Sequence, residues 1–153
     1  MTTDTSTPTG TSASTAPPPP LAGVHHIGLT VTDLDRSVRW YAEMLGFVQW
    51  MEERYPGGRT AGLVRPGTHV HIGLDAHEAN EGERFAPRRT GLDHLALATA
   101  TRAELTAWHA HLTANGVPCS AVKDCVDPAP FSLFTFSDPD GIALELIHMP
   151  IEG

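Results

Sequence analysis

A segment that occurs twice along the chain constrains its fold more than any other feature of the sequence. Residues 24–31 read VHHIGLTV, and residues 92–99 read LDHLALAT. Both segments are short and alternate between apolar and small or polar residues, which is typical of β-strands. His26 and His94 occupy the same position in the two copies. The repeat therefore predicts two related units, each opening on a strand that carries a histidine.

An amphipathic helix is predicted after each of these two strands. In the first unit, residues 32–35 read TDLD, a capping signal before a helix that ends at Gly46. In the second unit, Thr101 and Glu104 form a capping-box pattern before a helix that stops at Asn115-Gly116. The helices strengthen the interpretation that one unit is used twice.

Three further strands are predicted in each unit. They cover residues 47–53, 60–64 and 69–74 in the first unit, and residues 120–126, 131–137 and 142–148 in the second. The last two are joined by Asp138-Pro139-Asp140-Gly141, a strong turn signal. The order strand, helix and three strands gives an α+β fold of two βαβββ modules.

The chain divides into a tail and one domain. Residues 1–20 are rich in Thr, Ser and Pro and hold no large apolar side chain after Met1, so we expect a disordered tail. Residues 21–153 are expected to form a single domain. Its first module spans about 23–77, a polar linker about 78–90, and the second module about 91–150.

Composition excludes several classes of partner. The net charge is −8 and the basic residues form no cluster, so nucleic acid is not an expected partner. No apolar run reaches the roughly 20 residues that a membrane-spanning helix needs. The two cysteines, Cys119 and Cys125, are too few for a disulfide framework. With no signal-peptide pattern at the start, a cytoplasmic protein is expected.

Three residues are candidates for holding a divalent metal ion. His26 and His94 share a register, and Glu145 lies in the otherwise apolar stretch 142–147. A carboxylate there is costly to bury unless it is paired or bound to a cation. Two neutral imidazoles and one carboxylate suit Fe(II), Mn(II), Zn(II) or Ni(II) and leave positions open for substrate. From the residues alone, structural histidines remain an equal alternative.

Several strings resemble the vicinal oxygen chelate (VOC) superfamily, whose members include glyoxalase I, extradiol dioxygenases, fosfomycin-resistance enzymes, methylmalonyl-CoA epimerase and bleomycin-binding proteins. The resemblance covers about residues 23–150. The strings are HIGLTVTDLDRS at 26–37, WY at 40–41, LGF at 45–47, GLDHLAL at 91–97, FSDPDG at 136–141 and EL at 145–146.

The resemblance implies that the two modules form a cup-shaped mixed sheet around one divalent metal ion (Fe, Mn, Zn, Ni or Co). Its ligands would lie on the first and last strands of each module, which selects His26, His94 and Glu145. The fourth position falls at or next to His71. Glyoxalase-like members usually have Glu there and the epimerase type has Gln, so His71 departs from the pattern and is either a ligand or a substrate contact.

Two residues are expected by position to line the substrate pocket, Cys125 and Phe131. His25 is expected to face away from the site, since neighbours on a strand point to opposite sides.

The function implied is that of a metalloenzyme acting on a small molecule that chelates the ion through neighbouring oxygens. The metal would act as a Lewis acid, with Glu145 as a candidate general base. The reaction class stays open between lyase, isomerase and ring-cleaving dioxygenase. A non-catalytic antibiotic-binding protein is the main alternative, and an accessory subunit is a third. Members of the superfamily often pair modules across two chains, so a homodimer is plausible.

Overall fold

The regular elements follow the βαβββ order twice, as the repeat predicts. The computed structural model describes residues 17–150, so most of the predicted tail lies outside the described residues. The elements are β1 (Ile27–Thr30), α1 (Leu34–Leu45), β2 (Val48–Tyr55), β3 (Gly58–Val64), β4 (His71–His77), β5 (Leu95–Ala98), α2 (Arg102–Ala114), β6 (Lys123–Cys125), β7 (Phe131–Ser137) and β8 (Ala143–His148).

Each module folds into its own four-stranded mixed sheet. The strand order is β1-β4-β3-β2 in the first module and β5-β8-β7-β6 in the second. In both sheets the first and last strands of the module pair in parallel, and the other neighbours are antiparallel. The α+β class predicted from the sequence is confirmed.

The helix ends are set by the capping residues that the sequence contains. The side chain of Asp33 accepts a hydrogen bond from the backbone N–H of Arg36, and Gly46 ends α1 with φ of 67°. Thr101 and Glu104 form a reciprocal capping box at the start of α2. Both helices therefore begin and end where the pattern predicts.

The core lies between the helices and one face of each sheet. Alternate residues of β4 and β8 are buried there, including Ile72, Leu74, Leu144 and Leu146. Burying a leucine or isoleucine side chain contributes roughly 2 kcal/mol, so these two strands anchor the helices firmly. The residues between them point to the opposite face of each sheet, which we call the outward face.

The buried carboxylate of Asp140, in the turn between β7 and β8, links the two modules through hydrogen bonds. Asp140 accepts the backbone N–H of Thr32 at 2.9 Å, the Thr32 hydroxyl at 2.6 Å and the Arg36 guanidinium at 2.5 Å. Burial opposes ionisation, but the hydrogen bonds and charge of these partners prevail and lower the pKa of Asp140. The turn of the second module thus holds the start of α1.

The segment between the modules carries no helix or strand from residue 78 to residue 90. Phe85 is half-buried and packs against the core, while its backbone N–H bonds to the carbonyl of Asp140. Across residues 17–150, no helix combines the length and apolar character needed to cross a membrane.

Candidate functional site

His94 and Glu145 lie together on the second module. Both line an open cavity of about 560 Å³ on the outward side of the second sheet, together with Asp93, Cys119 and Ser137. His94 directly precedes β5, and Glu145 lies in β8, the parallel neighbour of β5. Pairing of the first and last strands is therefore what brings the histidine and the carboxylate to one place.

The imidazole of His94 is oriented by its neighbour in sequence. The Nδ1 atom of His94 lies 2.7 Å from a carboxylate oxygen of Asp93. That hydrogen bond raises the pKa of His94, and the negative charge of Glu145 adds to the effect. With Nδ1 hydrogen-bonded to a carboxylate, Nε2 is the nitrogen left for a metal ion, an arrangement common among histidine ligands.

Three histidines form a cluster on the first module. The Nδ1 atoms of His25 and His26 lie 2.9 Å apart, and the rings of His25 and His71 stack with centroids 6.2 Å apart. The prediction that His25 faces away is wrong, because β1 begins only at Ile27 and strand alternation does not apply before it.

The register of the strands corrects the expected fourth position of the site. In the second module Ala96 pairs with Glu145, and in the first module the equivalent pair is Gly28 with Gly73. The counterpart of Glu145 is therefore Gly73, two residues beyond His71. His71 and Gly73 lie on the same face of β4, so His71 borders this position rather than occupying it.

The predicted ligands are distributed over the two sheets. His26 directly precedes β1 of the first sheet, whereas His94 and Glu145 share the cavity of the second. Among residues 17–150, no three or more His, Cys, Asp or Glu side chains come together in a group that could hold a metal ion. The donor types fit a divalent ion, but one copy of the chain supplies them as two half-sites.

The two predicted pocket residues pair with each other away from this cavity. Cys125 of β6 is in register with Phe131 of β7, and neither lines the cavity of His94 and Glu145. Their role in substrate binding stays a prediction. Cys119, which sequence reasoning did not select, does line it, and burial raises the pKa of its thiol. No pattern marks Cys119, because it lies outside the regular elements and reaches the cavity through tertiary packing.

Comparison with known proteins places the chain among VOC proteins. The family model described as "Glyoxalase/Bleomycin resistance protein/Dioxygenase superfamily" matches residues 23–146. An uncharacterized protein of Escherichia coli strain K12, YaeR, is 35% identical over 130 residues, which cover 82% of this chain and 95% of YaeR.

Two further relatives extend the comparison to an enzyme and to a solved structure. A 2-epi-5-epi-valiolone epimerase from an Actinomyces species is 29% identical over 153 residues, covering 86% of this chain and 82% of the epimerase. The crystal structure of a glyoxylase/bleomycin resistance protein/dioxygenase domain from Frankia sp. EAN1pec matches with a TM-score of 0.78 at 31% identity. It covers 86% of this chain and all of that one.

Proposed function

The chain belongs to the Glyoxalase/Bleomycin resistance protein/Dioxygenase superfamily, and from this premise we propose that it is a metal-dependent enzyme. Its substrate is a small molecule that presents two neighbouring oxygens to a divalent ion. The reaction belongs to the lyase, isomerase or oxygenase types. His26, His94 and Glu145 are the proposed ligands, and His71 is a proposed substrate contact.

The observation that carries this proposal is the arrangement around His94. Its imidazole shares an open cavity with Glu145, and Asp93 holds its Nδ1 at 2.7 Å. A histidine oriented by a carboxylate, beside a second carboxylate in an accessible cavity, is the usual environment of a metal ligand. A histidine with only a structural role has no need to line an open cavity.

We assign the ligands of one ion to two copies of the chain in a homodimer. His26 comes from one copy, and His94 and Glu145 come from the other. Both outward faces are open in a single copy, and each module carries an exposed apolar side chain. Val48 is 50% exposed on the first sheet, and Leu92 is 36% exposed just before Asp93. A second copy would cover these apolar side chains.

The residues of the chain have separable tasks in the proposed reaction. A bound divalent ion would polarise the chelated oxygens and stabilise negative charge on them. Asp93 fixes the tautomer of His94, so that Nε2 offers a lone pair. Glu145 either binds the ion or, when substrate displaces it, accepts a proton from the carbon or oxygen next to the chelated group.

The test is metal analysis of protein purified without chelator. We expect about one divalent ion per chain in the wild type, and loss of most of it in His94→Ala and Glu145→Ala. His69→Ala, at an exposed histidine in the loop before β4, is the matched control and retains the metal. Sub-stoichiometric metal in the wild type, unchanged in the His94 and Glu145 variants, would contradict the proposal.

A second candidate is a non-catalytic binder of a small molecule, such as an antibiotic. It is favoured by the observation that one chain alone, over residues 17–150, gathers no group of three metal-binding side chains. The same metal analysis separates the two candidates, because a binder of this kind needs neither the ion nor Glu145.

A further inference from the structure

A cavity separate from that of His94 is lined by both modules, on the core side of the second sheet. Its volume is about 490 Å³. Leu146 lines it, whereas the adjacent Glu145 lines the cavity on the outward side. Neighbours on a strand point to opposite faces, so the sheet itself separates the two cavities. We call the one lined by Leu146 the intermodule cavity.

The walls of the intermodule cavity are largely apolar. The first module contributes Phe47 and Val70, and the second contributes Leu97, Trp108 and Leu146. Phe47 and Leu146 are each 3% exposed, so these walls continue the hydrophobic core. Protein interiors are close-packed and hold few voids larger than a water molecule. The volume of this void instead falls within the range of ligand pockets, roughly 300–1,000 Å³.

The indole of Trp108 is held in place by a contact between the modules. The rings of Trp108 and His111 meet edge to face, with centroids 5.6 Å apart. Nε2 of His111 lies 3.0 Å from the carbonyl oxygen of Met44, near the end of α1. The aromatic wall of the intermodule cavity therefore depends on how the two modules pack.

Arg65 brings a guanidinium group to the lining of the intermodule cavity. The group lies over the C-cap of α1, since a Cβ atom at Gly46 would lie 3.3 Å from Cζ of Arg65. Arg65 is half-buried, yet its side chain forms no ion pair or hydrogen bond with any residue in the range 17–150. The other arginines that lack an ion pair within this range are all exposed, namely Arg39, Arg54, Arg84 and Arg88.

The backbone of Arg65 is fixed by the loop between β3 and β4. Its N–H donates to the carbonyl of Val70 at 3.0 Å, and its carbonyl accepts the hydroxyl of Thr68 at 2.8 Å. The Thr68 hydroxyl also accepts the backbone N–H of Val70 at 3.1 Å. The loop therefore holds a cation beside apolar walls without supplying its counter-charge.

We propose that the intermodule cavity binds a small organic monoanion, a carboxylate with an apolar body. The planar guanidinium of Arg65 matches the geometry of a carboxylate, and the apolar walls cover the body of the ligand. A dianion such as a phosphate monoester is disfavoured, because Glu104 also lines the cavity and the chain carries a net charge of −8. This site goes beyond the proposed function and does not depend on the proposed metal ligands.

Isothermal titration calorimetry of the full chain with three probes tests the chemistry of the site. Butanoate and octanoate share a carboxylate but differ in the length of the apolar body, and 1-octanol has the longer body without the charge. In protein stripped of metal with chelator, we expect octanoate to bind at least about tenfold more tightly than butanoate, because four further methylene groups leave water. Equal binding of the two carboxylates, or no binding of octanoate, would overturn the proposal.

Substitution of Arg65 tests the role of the charge. Arg65→Gln should weaken octanoate binding at least about tenfold and change 1-octanol binding by less than about twofold, since only the carboxylate uses the guanidinium. Arg65→Lys keeps the charge and retains part of the octanoate affinity. Arg54→Gln, at an exposed arginine of β2 outside the cavity lining, is the matched control and leaves both affinities unchanged. Equal weakening of both probes in Arg65→Gln would show that Arg65 only shapes the loop, and the proposal would be wrong.

Filling the cavity tests where the probes bind. Ala98 lines the intermodule cavity, so the ring introduced by Ala98→Phe should abolish binding of octanoate and of 1-octanol. Ala121→Phe, at an exposed position outside the lining, is the matched control and retains both. Octanoate binding that survives Ala98→Phe but is lost in Glu145→Ala would place the probe in the cavity of His94 and contradict the proposal.

The proposal would also be wrong if octanoate failed to bind and Ala98→Phe changed only the association between copies, since the apolar walls would then serve a protein contact. None of these titrations depends on the metal content of the purified protein. The metalloenzyme proposal and the carboxylate site therefore fail separately.

Discussion

The charge of one imidazole, that of His94, is controlled by two carboxylates. Asp93 accepts a hydrogen bond from Nδ1, and Glu145 acts through its charge at longer range. Both favour the imidazolium form, so both raise the pKa of His94 above 6.5.

Removing either carboxylate charge should therefore lower the pKa of His94. In metal-free protein we expect a larger fall in Asp93→Asn than in Glu145→Gln, because the hydrogen bond is the larger cause of the shift. Titration of the imidazole by NMR measures both changes. A larger fall in Glu145→Gln than in Asp93→Asn would show that His94 is oriented by the cavity and not by its neighbour in sequence.

The glycines of the first sheet differ in how much room the surrounding atoms leave for a side chain. A Cβ atom at Gly58 would lie 2.7 Å from the backbone carbonyl oxygen of Ala76, which cannot move aside without disturbing β4. We expect Gly58→Ala to lower the free energy of unfolding by about 1–3 kcal/mol through overpacking. Gly73→Ala should be neutral or stabilising by up to about 1 kcal/mol, because the nearest atom to a Cβ at Gly73 lies 3.8 Å away. Urea denaturation of the two variants checks this contrast.

Sequence reasoning predicted single residues where local chemistry determines their role. Asp33, Gly46 and the Thr101–Glu104 pair act as caps because capping involves only backbone a few residues away. The position of Gly73 as the counterpart of Glu145 was not predictable, because it depends on which residue of β1 it faces across the sheet. From the sequence alone, a glycine inside a strand is recognised only as a residue that weakens the strand.

At the scale of elements, the turn between β7 and β8 connects the two modules. Asp140 is buried there and accepts three hydrogen bonds from Thr32 and Arg36, at the N-terminal end of α1. The sequence predicts the turn at residues 138–141. It does not predict that Asp140 of this turn also binds the start of α1. Asp140 and Thr32 are 108 residues apart and belong to different modules, so only the packing of the two modules brings them together.

Asp140→Ala should destabilise the fold by about 2 kcal/mol, because the Thr32 N–H loses a charged acceptor in a partly buried position. Urea denaturation near neutral pH measures the loss. Glu83→Ala is the matched control, since Glu83 pairs with Arg89 on the surface and should change stability by less than about 0.5 kcal/mol.

The same carboxylate makes stability depend on pH. The pKa of Asp140 is lowered in the folded state, so its contribution is present above the ordinary value of 3.8. The contribution is lost as the pH falls through the lower, folded pKa. Between neutral pH and about pH 3, the wild type should lose more stability than Asp140→Asn, which has no charge to lose. An identical loss in both proteins would show that other carboxylates govern the acid limit.

Element order was the most predictable feature of the molecule, and register the least. All ten elements appear in the predicted order, although β6 covers only Lys123–Cys125 where residues 120–126 were expected. The β-bulge at Trp50 was not predicted, since an extra residue in one strand leaves the alternation of its neighbours almost unchanged.

At the scale of the whole molecule, the repeat explains both the fold and why the proposed ligands lie on different modules. Each module contributes a histidine before its first strand, and the second module adds Glu145. The modules pack through helices and turns, so their outward faces do not share one group of metal-binding residues within residues 17–150. Sequence reasoning predicted which residues to consider but not their spatial relation, because the repeat fixes each module internally and leaves the packing between modules open.

The most direct test of the proposed function mixes two variants that are each defective in one half-site. His26→Ala chains keep His94 and Glu145, and Glu145→Ala chains keep His26. If one ion is held between two copies, random exchange of subunits should restore about a quarter of the wild-type metal content, because half of the dimers are mixed and each regains one of its two sites. Metal content of the re-purified mixture equal to that of the separate variants would contradict a site shared between two copies.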